Sequence, residues 1–200
     1  RNTPKIKVLV VGGAGYIGSH AVKLFLEKGH RVVVFDNLAN GYAEAVQILQ
    51  GLGDCLFIKG DLRDKNAINK VFQEHKIEAV LHFAALCLVH ESMLQPELYF
   101  ENNTFGTLNL LKAMRRNKVS KIIFSSTCAV YGESEYLPID EKHPTLPANA
   151  YGESKLAAEK ILSWYGRLHN FNYLILRYFN VCGADSQGLI GDSKKPSQLL

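Results

Sequence analysis

The sequence lacks most of the features that would settle its class at once. Its 200 residues contain no apolar run of membrane-spanning length. The opening Arg1-Asn2-Thr3-Pro4 has none of the apolar character of a secretory signal. No stripe of Lys and Arg runs along it: the net charge is only +4, and Arg115-Arg116 with Lys118 reads as a solvated helix end, not a nucleic-acid patch. Internal repeats and low-complexity segments are absent. The four cysteines (Cys55, Cys87, Cys128, Cys182) stand far apart with no C-x-x-C pair, a spacing that suits neither a zinc site nor a disulfide scaffold. They read as free thiols of a reducing compartment. The expectation is a cytoplasmic protein with no metal, no membrane and no nucleic acid among its partners.

What is present is an ordinary soluble composition, 47% hydrophobic and 21% charged, in a chain long enough for one large core. Short β-branched runs alternate with helical stretches. Strands are expected at residues 7–11, 31–35, 55–58, 79–83, 121–126 and 173–177. Helices are expected at 16–28, 43–50, 65–74, 99–117 and 151–168. Strand and helix in alternation imply α/β: a doubly wound parallel sheet with its ligand crevice beyond the carboxyl ends of the strands. The stretch 133–149, with Pro138, Pro144 and Pro147, is a long loop of the functional kind. The tail to Leu200 is polar, with Gly188, Gly191 and Pro196, and does not read as a finished domain.

Gly12-Gly13-Ala14-Gly15-Tyr16-Ile17-Gly18 follows the first strand and opens a helix. Glycine is needed there so that a tight turn can form and so that backbone can approach a pyrophosphate resting on the positive helix end. Asp36, closing the second strand, completes the pattern. Its carboxylate can accept from ribose hydroxyls and repels a 2′-phosphate, which favours NAD over NADP. Asp61 fits either a contact to adenine or, with Asp64, a helix N-cap.

Tyr151-Gly152-Glu153-Ser154-Lys155 places Tyr151 and Lys155 at i and i+4 on one helix face. A nearby ammonium favours the phenolate, so Lys155 is expected to lower the pKa of Tyr151. Ser125-Ser126-Thr127 ends the fifth strand, where a hydroxyl can share a proton passed between Tyr151 and a substrate alcohol. His82 reads as a packed strand-end residue, and Cys128 as an inert thiol.

With these segments in hand, the chain resembles the extended short-chain dehydrogenase/reductase family, in its UDP-glucose (UDP-galactose) 4-epimerase branch with the related UDP-pentose epimerases. The resemblance runs through the glycine turn to Ser19-His20, Phe35-Asp36-Asn37-Leu38, His82-Phe83-Ala84-Ala85, Tyr131-Gly132, the Tyr151 motif and Leu176-Arg177-Tyr178-Phe179-Asn180-Val181. It implies a Rossmann domain over 1–180 and the start of a substrate-binding region over 181–200, most of a smaller C-terminal domain lying outside the sequence. It implies NAD held by Gly12, Gly15, Tyr16, Ile17, Gly18, Asp36, Asn37, Asp61, Leu62, Phe83, Ala84, Ala85, Asn102 and Tyr178. Tyr151 is then base and acid, Lys155 its tuner and ribose clamp, and Thr127 the catalytic hydroxyl with Ser125 and Ser126 nearby. Thr127, Tyr151 and Asn180 meet a UDP-sugar, which is epimerised at carbon 4 through a transient 4-keto sugar. It further implies a homodimer built from the helix at 151–168 and the one near Leu108–Met114, with Trp164 and Tyr165 at that interface or in the core.

The related 4,6-dehydratases carry an Asp-Glu pair where this chain has Cys128-Ala129, so the resemblance excludes that branch. Val11 stands where Thr is usual, Cys87 where many hexose epimerases have Lys, and His90 where they have Gly. The pentose epimerases also lack that Lys. A nucleotide-sugar reductase or dehydrogenase and a non-catalytic NAD sensor remain as alternative readings.

Overall fold

A computed structural model describes residues 4–192. Six parallel strands lie in the order β3-β2-β1-β4-β5-β6. They are β1 (Lys7–Val11), β2 (Arg31–Asp36), β3 (Cys55–Lys59), β4 (Ala79–His82), β5 (Lys121–Thr127) and β6 (Asn172–Tyr178). The chain winds outward from β1 to β3, returns to β4 beside β1, and winds outward again. The reversal between β1 and β4 is the switch point at which a crevice must open.

Alternation along the strands sorts the side chains into two layers. Leu9, Val11, Val33, Phe35, Val80, Ile122 and Phe124 face one side, where α3 (Lys65–Glu74), α6 (Gly106–Arg116) and α7 (Ala150–His169) cover them. Val8, Val10, Val32, Val34 and Leu81 face the other side, under α1 (Tyr16–Glu27) and, through Leu49, α2 (Ala43–Gln50). Burying each such Val, Leu or Phe stabilises the fold by about 1.5–3 kcal/mol. Because β1 is buried on both faces, it reads as an unbroken apolar run. Beyond α1 the second face is not closed: Phe25, Ile123, Tyr173 and Leu174 line a shallow apolar depression on β4–β6.

Helix ends follow local chemistry. Asp64 caps α3 by accepting from the N–H groups of Asn66 and Ala67, and Asn149 caps α7 by accepting from Gly152 N–H. Asn170, at φ +55, stops α7 in the left-handed conformation that Asn tolerates.

The structure revises the expected helix at 99–117. Two short helices, α4 (Val89–Leu94) and α5 (Pro96–Tyr99), precede it, and its first part, Phe100–Phe105, is a π-helical turn. Six and four residues are too few for apolar periodicity to register, and the wider π turn breaks the 3.6 period. The 133–149 loop is irregular, as expected. His143 pins it, with Nε2 accepting from Glu135 N–H and Nδ1 bonded to the Pro144 carbonyl, its ring packed on Tyr131 and Tyr136.

Candidate active site

The glycine turn is a backbone cradle with no room for side chains at two positions. Gly12 has φ +81, and a Cβ on it would lie 2.4 Å from Ala84 N. A Cβ on Gly18 would lie 2.1 Å from the Gly12 carbonyl oxygen. The first contact holds β1 against the residues after β4, and the second lets α1 start directly beneath the turn. Phe83 N–H and Ala84 N–H both donate to the Val11 carbonyl, fixing the crevice floor. The exposed backbone and the free N-terminus of α1 fit an anionic group that must come close to the chain.

Asp36 stands at the rim. Its carboxylate accepts from Ala14 N–H at 3.0 Å and Leu38 N–H at 2.8 Å, tying β2 to the glycine turn. Leu38, at φ +63, takes a conformation few side chains adopt, a local cost at the site edge. Burial raises the pKa of Asp36, and the two backbone bonds oppose the shift. Asp61 proves distinct from the α3 cap, which is Asp64. It is paired with Arg63 and accepts from Asn37 Nδ2 at 2.9 Å, and the Arg63 bonds hold its carboxyl well below the usual carboxylate range.

These residues line a continuous crevice. Its first part is walled by Gly12, Gly15, Asp36, Asn37, Asp61, Leu62, Phe83, Ala84, Ala85 and Asn102. The second runs past Tyr16, Ile17 and Gly18 to Ser125, Cys87 and Leu88. Among the residues expected at the cofactor, Tyr178 is the exception: it ends β6 beside Thr127 and does not line the crevice. Asn180 is exposed just beyond it.

The strand-end hydroxyls part company. Ser125 faces the crevice. Ser126, one residue on, points to the opposite face and donates to Glu159. Thr127 lies near Tyr151, where its hydroxyl draws the phenol pKa down, and accepts from Ala129 N–H at 3.1 Å. Glu159 also takes both arms of Arg177, at 3.1 and 2.7 Å, and Arg177 lies 4.9 Å over the Tyr131 ring. Glu159 is 4% exposed and follows Tyr151 and Lys155 at the same four-residue step. That spacing was the available signal for it, yet an exposed i,i+4 ion pair has the same pattern.

Lys155 is buried, its Nζ 4.3 Å from the centre of the Phe124 ring. Burial pulls its pKa down to about 7, against the pull of Glu159. Burial pushes Tyr151 up to about 12, and the Thr127 hydroxyl works the other way. The expected lowering of Tyr151 by Lys155 is therefore not seen: desolvation of both groups is the larger effect. His82 is buried, as expected, with Nε2 on Thr107 Oγ1 at 2.9 Å. Desolvation, then the Lys155 charge, holds it well below its ordinary pKa. Cys128 is only part-buried and Cys87 is exposed. Among the described residues no group of three or more His, Cys, Asp or Glu could hold a metal ion, and no helix is long and apolar enough to cross a membrane.

Sheet order, glycine cradle and acidic rim define an α/β dinucleotide-binding domain; Tyr151, half-buried, and Lys155, buried, stand one turn apart on α7 and do not line the crevice. The chain belongs to the NAD dependent epimerase/dehydratase family, whose model matches residues 8–200. It is 49% identical over 193 residues to a UDP-glucose 4-epimerase of Halalkalibacterium halodurans, covering 96% of this chain and 56% of that one. It is 47% identical to a probable UDP-arabinose 4-epimerase of Arabidopsis thaliana, covering 94% of this chain and 47% of that one. Among solved structures it is similar to the UDP-glucose 4-epimerase of Bifidobacterium longum in complex with NAD+ and UDP. The TM-score is 0.88 at 41% identity, over 93% of this chain and 57% of that one. The chain thus spans about half the length of the curated relatives it matches.

Proposed function

We propose that the protein carrying this chain is an NAD-dependent 4-epimerase of UDP-sugars of the UDP-glucose/UDP-galactose type. The observation that carries the reading is the crevice whose backbone cradle and Asp36 rim fit a dinucleotide, together with Tyr151 on α7 near Thr127 at the end of β5. Residues 1–180 are the cofactor domain and 181–200 begin a substrate-binding region, of which 193–200 lie outside the described residues.

NAD, when bound, supplies a reversible hydride acceptor. Gly12, Gly15 and Gly18 cradle its pyrophosphate, Asp36 receives the adenosine ribose, and Asn37, Asp61, Leu62, Phe83, Ala84, Ala85 and Asn102 wall its length. Tyr151 Oη takes the proton of the sugar 4-hydroxyl and later returns it. The nearby Thr127 hydroxyl favours the charged form of that phenol. Lys155, one turn further along α7, serves as the clamp on the cofactor ribose. Ser125 lines the crevice near the reacting end, Asn180 meets the diphosphate of the sugar nucleotide, and Tyr178 supports it from the end of β6. Ser126 serves this centre indirectly, through Glu159.

Two copies associate through α7 and the turn before α6. Trp164, Leu168 and Phe105 are more than half exposed there. Met114 is fully buried, and Tyr165 is half-buried with its ring on Phe171. The proposed location is the cytoplasm.

The test is interconversion of UDP-glucose and UDP-galactose by the full-length protein with no added cofactor. Tyr151→Phe is expected to lower the rate by about 10²–10⁴-fold while bound NAD stays at the parent level. Activity retained in Tyr151→Phe would refute its role. Turnover that appears only with added NADH would replace the epimerase by a reductase.

A further inference from the structure

We propose that Lys23 is a positioning residue: with Tyr16 it latches the segment after β6, residues 183–192, onto α1, and the latch holds NAD in the crevice. β6 lies three places from β1 in the sheet order, roughly 14 Å at the usual strand spacing. It ends at Tyr178, and by Gly183 the chain has reached α1, where the Tyr16 hydroxyl donates to the Gly183 carbonyl. Five residue steps span at most about 18 Å, so the connection has little slack. It crosses the carboxyl ends of β5 and β4, the side on which the crevice opens.

Past Gly183 the segment is shaped to grip the helix. Tyr16 and Lys23 stand at i and i+7, on one face of α1. Lys23 Nζ donates to Asp185 Oδ1, and both side chains are 6% exposed. Glu27, at 3.6 Å from Lys23, is half exposed and is the weaker partner. Asp185 is the node of the turn. Its Oδ2 accepts from Leu189 N–H at 2.9 Å, and its carbonyl accepts from Gly188 N–H at 2.9 Å. Gly188, at φ +67, supplies the left-handed residue this turn needs. The chain then buries Ile190 and returns to the crevice, where Asp192 lines the wall with Gly12, Gly15 and Gly18.

Lys23 has no task in α1 itself, which packs on the sheet through Val22 and Leu26. An ammonium taken out of water beside an apolar helix face is costly unless it is paired, and its closest carboxylate comes from 162 residues further along the chain. The pair therefore marks where the segment must dock. Parting it leaves a buried charge on each side without its partner, so the segment opens rarely. A dinucleotide lying along the crevice is covered at its open side by residues 179–183 and flanked by Asp192. It leaves only when the segment lifts, and the Lys23–Asp185 contact governs how often that occurs.

Retention of NAD rests on the cofactor reading above; the latch itself does not. The full-length protein is loaded with radiolabelled NAD and chased with unlabelled NAD. Lys23→Met is expected to release the label about tenfold faster than the parent, the effect of losing one hydrogen bond between charged groups. Asp185→Asn, which keeps an acceptor for Leu189 N–H but loses the charge, is expected to do the same. The double variant should release no faster than Lys23→Met alone, because both cut one contact. Parent-level release in either single variant, or multiplying effects in the double variant, would overturn the proposal. An ion pair that only braces the fold would lower the melting temperature of the NAD-free protein and leave release unchanged. Should Lys23→Met fail to fold, Asp185→Asn alone decides by the same rate. If the parent binds no NAD, the cofactor reading falls, and hydrogen exchange at Leu189 N–H decides on the latch. Exchange at least about tenfold faster in Lys23→Met then supports it, and unchanged exchange refutes it.

Discussion

Replacing Lys155 by Met should make the NAD-free protein more stable while disabling its site. The parent lysine is 2% exposed, and burial holds its pKa at about 7 against 10.5 for a free lysine. A lysine with a depressed folded pKa binds fewer protons folded than unfolded. Its cost is absent above pH 10.5, grows as pH falls, and is complete below about 7. That gap, at about 1.4 kcal/mol per pH unit, amounts to about 5 kcal/mol, nearly all of it felt at pH 6 and about 2 kcal/mol at pH 9. Substitution forfeits the attraction of the ammonium to the Phe124 ring, about 1–2 kcal/mol. Methionine matches the volume, and Glu159 keeps Arg177 and Ser126 as partners, so no buried charge is orphaned. At pH 9 the folded lysine is already neutral and has no ammonium attraction to lose, so Lys155→Met should exceed the parent by about 3 kcal/mol at pH 6 and by about 2 kcal/mol at pH 9. Urea unfolding followed by far-UV circular dichroism at the two pH values measures both. A variant less stable than the parent at both, or an offset that ignores pH, would refute the assignment of Lys155 as a strained buried cation.

Gly18→Ala places a Cβ 2.1 Å from the Gly12 carbonyl oxygen, where only backbone can yield, so the cradle must open by about 1 Å. Stability is expected to fall by about 2–4 kcal/mol, and NAD binding by at least about 100-fold. Gly53→Ala, whose Cβ would meet Leu26 at an ordinary 3.4 Å, should leave binding unchanged; calorimetric titration compares the two. Trp164→Glu puts a charge on the exposed face of α7 and should convert a dimer to a monomer in sedimentation at micromolar concentration without altering NAD binding. A parent protein that sediments as a monomer would end the dimer proposal.

The fold was legible because its signals are local and repeated. The middles of β1, β2 and β4 are apolar, and helices cover both faces of β1 and β2. The glycine turn and Asp36 carry their structural reasons in their chemistry: no other residue fits at Gly12 or Gly18, and a carboxylate at Asp36 meets two backbone N–H groups. The short α4 and α5 and the π turn left no such trace. A six-residue helix makes less than two turns, and a π turn is defined by a shifted backbone bond that no residue type announces.

The site was legible as a set of residues but not as an electrostatic balance. Spacing alone places Tyr151 and Lys155 on one face and suggests that the ammonium tunes the phenol. It cannot tell how much water each keeps. The fold takes nearly all of it from Lys155, so the lysine moves further than the tyrosine is helped, toward about 7 while Tyr151 rises to about 12. The same burial makes Glu159 necessary. An acid one turn further along α7, clamped by Arg177 and Ser126, keeps an anion near a lysine that would otherwise lose its proton more readily still. Ser126, expected near the catalytic hydroxyl Thr127, lies on the far face of the strand because strand side chains alternate. Its hydroxyl donates to Glu159, whose charge in turn acts on Lys155. Tyr151, Lys155 and Glu159 thus form a ladder along α7, half-buried at Tyr151 and buried at the two rungs below it. Tyr151 and, as ribose clamp, Lys155 were expected to meet a ligand; Glu159 was not among the expected residues, and its charge acts on Lys155.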